Sequence, residues 1–227
     1  NMKTVLIILS AGRCGSTNII NRLNQEKDIN IYGESFGGIL SLIKSAYEFN
    51  QYKEKFIDTL SIRKQNSQTS FFPPNQISLQ LEGEKKYIGN EFYNDHEVLK
   101  DTLNTINNSI INFFKGENNI VGFKDIRWHY YPNLIWLNHL KKLPFKEVKF
   151  LKLNRNIEEQ TQSMLQSFSP HVKGNPSNYQ ECLERIKKCN YNIDSYLNKV
   201  KEDKKYECNY VENSEFHLDN ILKWLKD

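Results

Sequence analysis

The sequence predicts an α/β fold, a three-layer sandwich with helices on both faces of a central parallel sheet of about five strands. Three observations predict it. Short β-branched and aliphatic runs alternate with longer stretches whose apolar residues recur at helical spacing. The first run, residues 4–9, is β-branched or aliphatic at every position, as suits a strand covered on both faces. It leads through a turn of small residues directly into a helix, a join suited to binding anions.

The 227 residues read as one domain, 1–227, with a helical or loop insertion around 36–118. Hydrophobic residues make up 38% and charged residues 26%, which supports a core and argues against a disordered chain. The net charge of +4 suits an anionic ligand without pointing to nucleic acid. No apolar run approaches the roughly 20 residues of a membrane span. Residues 4–9 are too few for the apolar region of a signal peptide, and a turn follows at once. Cys14, Cys182, Cys189 and Cys208 form no Cys-x-x-Cys pair and have no His at zinc spacing. Reduced thiols in a cytoplasmic, metal-free protein are expected.

Each element has its own signal. After the turn at 10–15, Ser16 or Thr17 is expected to cap a helix with Ile19, Ile20 and Leu23 inward. Residues 29–32 form a short second strand, ended by Gly33-Glu34-Ser35. Residues 39–60 read as a helix with Ile39, Leu42, Ile43 and Ala46 on one stripe. Residues 63–80 are polar, contain Pro73-Pro74 and read as a loop in which Phe71-Phe72 can close over an acceptor. Leu99, Leu103, Ile106, Ile110 and Phe114 predict a second long helix at 96–114. Strands are expected at 119–124 and 147–153, separated by a helix at 132–140 that turns Leu134, Leu137 and Leu140 inward. Helices at 157–168 and 179–200, a strand at 206–211 and a helix at 216–225 complete the chain.

In parallel sheets ligands bind beyond the carboxyl ends of the strands. The segments to read for chemistry are therefore 10–17, 33–35, 124–129 and 154–163. Ser10-Ala11-Gly12-Arg13-Cys14-Gly15-Ser16-Thr17 has the makings of an anion cradle. Small residues let backbone N–H groups converge, the helix start adds partial positive charge, Ser16 and Thr17 add hydroxyls, and Arg13 adds a cation. It is P-loop-like without being a Walker A loop, because no Lys stands between Gly15 and Ser16.

Arg13-Cys14-Gly15-Ser16-Thr17 resembles the phosphosulfate loop of sulfotransferases, in which Ser is more usual than Cys at the second position. A second motif of that family is matched as well. Residues 150–154 lead to Arg155, and Ser163 follows eight residues later inside a predicted helix. Residues 121–128 and 206–225 are similar to the family's central strand and closing strand–helix. Residues 50–118 match no part of it, and its Gly-x-x-Gly-x-x-Lys segment is absent from the 171–178 region. The resemblance implies 3′-phosphoadenosine 5′-phosphosulfate as donor and adenosine 3′,5′-bisphosphate as product. It implies that Ser10, Gly12, Arg13, Cys14, Gly15, Ser16 and Thr17 hold the phosphosulfate. Arg155 and Ser163 would grip the 3′-phosphate, where Arg offers a fork to phosphate oxygens.

Sulfuryl transfer needs in-line oxygens, cations where charge grows on the leaving oxygen, and a base for the acceptor hydroxyl. It needs no metal. Arg13 is the expected leaving-group stabiliser. Glu34 is the expected base, on the reading that the first and second strands are neighbours and so bring Glu34 and Arg13 to one crevice. His129, His96 and Asp125 stand as alternatives. Lys124, Arg127 and His129 are expected to line the acceptor or sulfonate pocket. The acceptor, a small molecule, carbohydrate or lipid with a hydroxyl or amine, is not specified by the sequence. A kinase-type phosphotransferase and a non-catalytic nucleotide-binding relative are the alternative functions.

Overall fold

The computed structural model describes residues 2–34, 38–66, 91–167, 175–209 and 215–226. Five strands, β1 (Thr4–Ser10), β2 (Ile29–Tyr32), β3 (Ile120–Asp125), β4 (Glu147–Asn154) and β5 (Lys205–Asn209), form one sheet in the order β2-β3-β1-β4-β5. Every pairing in it is parallel. Among the described residues, six α-helices accompany them: α1 (Ser16–Leu23), α2 (Gly38–Asn66), α3 (Glu91–Phe113), α4 (Ile157–Ser167), α5 (Tyr179–Leu197) and α6 (Glu215–Lys226).

β1 is buried at all 7 positions and lies at the centre. Its alternate side chains feed two cores. Val5, Ile7 and Leu9 join Ile39, Ile43, Leu103, Ile110, Met164 and Ile186 from α2, α3, α4 and α5. Leu6 and Ile8 join Ile19, Leu23, Ile221 and Leu225 from α1 and α6 on the opposite face. The predicted three-layer sandwich follows from this alternation. At Gly122, paired with Leu6, an added Cβ would overlap the Leu6 carbonyl oxygen, so β3 and β1 approach closely only because that residue is glycine.

The expectation that β1 and β2 are neighbours is corrected: β3 lies between them. The reason is legible in β2 itself. Its 4 residues alternate between buried Ile29 and Ile31 and the more open Asn30 and Tyr32, the pattern of an edge strand and not of a neighbour to the fully buried centre.

Three further expectations shift. Ser16 and Thr17 do not cap α1; Gly15 occupies the cap position with φ 74°, and no side chain bonds to the helix start. The segment 132–140 is a 3-10 helix, Ile135–Lys142, and a 3-10 turn precedes it at Trp128–Tyr130. Leu134, Leu137 and Leu140 are buried at a constant spacing of three, which is the 3-10 period. Residues 63–66 continue α2, and the remainder of the expected loop, with Phe71-Phe72 and Pro73-Pro74, lies outside the described residues. No helix among the described residues is long and apolar enough to cross a membrane. All four cysteines are free and buried.

Candidate active site

Strand order fixes where a site can form. From β1 the chain moves outward to β2 through α1 on one face; from β4 it moves outward to β5 through α4 and α5 on the other. The loops leaving β1 and β4 therefore diverge, opening the crevice that parallel α/β sheets use for ligands. Ser10 and Leu153 are register partners at its floor.

Backbone conformation shapes the loop after β1. Gly12, Arg13 and Gly15 have φ of 83°, 54° and 74°. Cys14 between them has no positive φ, so handedness alternates, the arrangement that turns successive N–H groups into an anion-binding concavity. The first bond of α1 runs from the Ile19 N–H to the Gly15 carbonyl at 3.2 Å. The N–H groups of Ser16, Thr17 and Asn18 thus have no helical acceptor. Thr17 is exposed, whereas Ser16 is buried. Cys14 turns its side chain into the core beside Leu6 and Ile8, leaving only its backbone to a ligand, and burial pushes its thiol pKa up. Ser10 is fully buried beneath the loop, where its carbonyl receives the Cys189 thiol at 3.8 Å.

Arg155 follows β4 and meets this loop. Its Nη1 donates to the Arg13 carbonyl at 3.1 Å, and its Nε to Glu159 Oε2 at 3.3 Å. Ser163 Oγ accepts from Arg13 Nε at 3.1 Å. Asn156 caps α4, its side-chain oxygen accepting from the Glu158 and Glu159 N–H groups at 3.0 and 3.2 Å. Arg155 and Ser163, 142 and 150 residues from Arg13 along the chain, are thereby each in direct contact with it.

On the other side of β1, Lys124 at the end of β3 is almost fully buried and holds Glu34 Oε1 at 2.7 Å. Its charge also reaches Cys14 in the loop. Glu34 is thus in the crevice, joined to the β3 end through Lys124 instead of standing next to β1. Asp125 is completely buried and accepts from the Ile126 and Arg127 N–H groups, both at 2.8 Å, and from the Arg127 guanidinium through Nε (2.9 Å) and Nη2. Those bonds raise the Arg127 pKa and occupy both carboxylate oxygens. His129 lies in the Trp128–Tyr130 turn, 4.0 Å from the Tyr130 ring centroid. Burial first, then the Arg185 and Lys188 charges of α5, pulls its pKa down to about 4. Its Nδ1 is buried without a hydrogen-bond partner. His96 belongs to α3, but its side chain lies outside the described residues.

One contact at this site was not foreseen. Gln160, 1% exposed, donates from Nε2 to the Gly12 carbonyl. The signal was present: Ile157, Gln160, Thr161 and Met164 keep i, i+3, i+4, i+7 spacing, which places Gln160 on the inner face of α4.

No protein-family model matches the chain, and no curated protein matches it. Solved structures do. A sulfotransferase domain from the curacin biosynthetic pathway matches all of this chain and 75% of its own, with a TM-score of 0.56 and 14% identity. A sugar kinase from Janibacter sp. HTCC2649 matches all of this chain and 95% of its own, with a TM-score of 0.39 and 12% identity. The first likeness shows a shared P-loop-like α/β fold.

Proposed function

We propose that this protein is a sulfotransferase that moves a sulfuryl group from 3′-phosphoadenosine 5′-phosphosulfate to a hydroxyl or amine of a small-molecule, carbohydrate or lipid acceptor. One observation carries the reading: Arg13, Arg155 and Ser163 converge at the β1–β4 crevice, beside a left-handed loop with no Walker lysine. A nucleotide with phosphate at both 5′ and 3′ positions has use for both groups of ligands, the loop for one and the Arg155/Ser163 pair for the other.

The loop N–H groups and those of Ser16, Thr17 and Asn18 receive the 5′ anion, and Arg13 meets the bridging oxygen. Arg13 is parked on Ser163, so a 3′-phosphate taking Ser163 releases the guanidinium for that work. Lys124, between Glu34 and the loop, supplies a second cation for the transferred group.

For the base, Glu34 is the carboxylate with room for an acceptor, its side chain being 34% exposed. Asp125 has no exposure and no unused oxygen, and His129 is held beneath Tyr130 and α5. In the reaction the acceptor oxygen bonds to sulfur, the bond from sulfur to the phosphate oxygen breaks, and the acceptor proton passes to Glu34. Adenosine 3′,5′-bisphosphate leaves with the electron pair.

Donor turnover against phenol, carbohydrate, lipid and peptide acceptors, run beside a magnesium-dependent nucleoside triphosphatase assay, tests the function. Sulfuryl transfer with no triphosphatase activity is expected. Triphosphatase activity without transfer would make the protein a phosphotransferase-type enzyme.

A further inference from the structure

The loop after β1 adopts a conformation it would not keep unaided. Arg13 at φ 54° is a non-glycine residue in the left-handed region, which carries a cost of order 1–2 kcal/mol. Something must hold it there, and both peptide groups flanking Arg13 are held from α4 and its approach. Gln160 bonds the Gly12 carbonyl, and Arg155 bonds the Arg13 carbonyl. Each peptide is planar and trans, so pulling its carbonyl one way turns its N–H the other way. The two contacts thereby aim the Arg13 and Cys14 N–H groups away from α4.

The two holders are not equivalent. Arg155 has other work to do at the exposed crevice, since it also meets Glu159. Gln160 is buried, and its only hydrogen-bonded side-chain atom faces the loop. The amide orientation is dictated by chemistry, because only its NH₂ can face a carbonyl. Its Oε1 is buried with no hydrogen-bond partner. An unmatched buried oxygen is expensive, and an apolar side chain of equal length would avoid that expense. A glutamine is therefore poorly explained here as a packing residue and well explained as a donor to Gly12.

We propose that Gln160 is the positioning residue of the anion loop: by fixing the Gly12 carbonyl against α4 it keeps the neighbouring N–H groups turned to a bound phosphate or sulfate. The identity of the anion rests on the sulfotransferase reading; the positioning of the loop does not. Gln160 acts through the backbone and touches no reacting atom.

The test uses Gln160→Met, which keeps the length and removes the donor, with Gln160→Asn, whose amide is one methylene too short, as a second variant should the first fail to fold. Backbone amide order parameters of the ligand-free protein are followed by NMR over residues 10–17 and over β3, β4 and α5. Calorimetry compares adenosine 3′,5′-bisphosphate with adenosine 3′-phosphate. Order parameters at 12–15 should fall from about 0.85 to below about 0.6, with the other segments unchanged. Affinity for the bisphosphate should fall about tenfold, the equivalent of one ordinary hydrogen bond, while that for the 3′-phosphate alone, which makes no demand on the loop, stays as it was. Unchanged order parameters at 12–15 would overturn the inference, as would loosening throughout or equal weakening of both nucleotides, which would make Gln160 a core residue. If the unaltered protein binds neither nucleotide, the donor assignment fails and the loop order parameters alone decide the role of Gln160.

Discussion

The two sides of the crevice are built from different contacts. On the β1–β4 side, Arg13 reaches a hydroxyl, that of Ser163, and Arg155 divides itself between the Arg13 carbonyl and the exposed Glu159. On the β3–β2 side, each cation has a carboxylate of its own, Lys124 with Glu34 and Arg127 with Asp125. A hydroxyl does not neutralise an arginine, so Arg13 keeps its attraction for an anion. The second side is balanced, and it carries Glu34, the proposed base. Under the proposed function, a donor nucleotide suits the first side and an uncharged hydroxyl the second, with Lys124 where they meet.

Exchanging the chemistry of one side for that of the other breaks this division. The largest effect is expected on the acceptor side. Glu34→Gln should lower transfer by about 10²–10⁴-fold, the usual contribution of a positioned base, with nucleotide affinity unchanged by calorimetry. Comparable loss of affinity would place Glu34 on the donor side instead. Next, Arg13→Ala should lower kcat by about 10²–10³-fold while product-nucleotide affinity changes much less, because charge appears on the bridging oxygen only as the bond breaks. A loss seen only in affinity would make Arg13 a phosphate clamp.

A carboxylate on the β1–β4 side sharpens the comparison. Glu159, 62% exposed in its side chain, holds Arg155 Nε. Glu159→Gln should tighten nucleotide binding up to about fivefold, as suits a screened surface pair. Weaker binding would mean that Glu159 orients Arg155 and does not compete for it.

The smallest effect concerns acid stability. His129 sits near 4 in the fold and near 6.5 when unfolded, so between those values the unfolded chain binds more protons. The stability gained by keeping the ring neutral is complete above about 6.5 and is lost as pH falls toward 4. His139, also lowered by burial, acts in the same direction. Urea midpoints at pH 5 and 7 should differ less in His129→Leu than in the unaltered protein. An unchanged difference would remove His129 as a source of acid sensitivity.

What the sequence disclosed depended on whether a residue's neighbours were local. The β1–turn–α1 join was legible because an unbroken aliphatic run and two glycines fix it within a few positions. Sheet order was not, since pairing of β1 with β3 rather than β2 joins residues more than a hundred positions apart. Even there, the polar alternation of β2 marked it as an edge. The spacing of Leu134, Leu137 and Leu140 named the inward face correctly and the helix type wrongly, because a strict interval of three belongs to the tighter helix. Arg155 and Ser163 were legible only through their eight-residue spacing, which resembles a sulfotransferase motif. Gln160 is the opposite case, a polar residue inside a helix, where such residues usually face solvent, yet buried against the loop.

The proposed role of Arg155 and Ser163 is to recognise a 3′-phosphate. Isothermal calorimetry of the unaltered protein with adenosine 3′,5′-bisphosphate and with adenosine 5′-phosphate tests it most directly, with Arg155→Ala as the partner measurement. The bisphosphate should bind more tightly by about 1.5–3 kcal/mol, the range for charge-assisted hydrogen bonds, and Arg155→Ala should erase most of that preference. Equal affinities for the two nucleotides, or a preference that survives Arg155→Ala, would contradict the account.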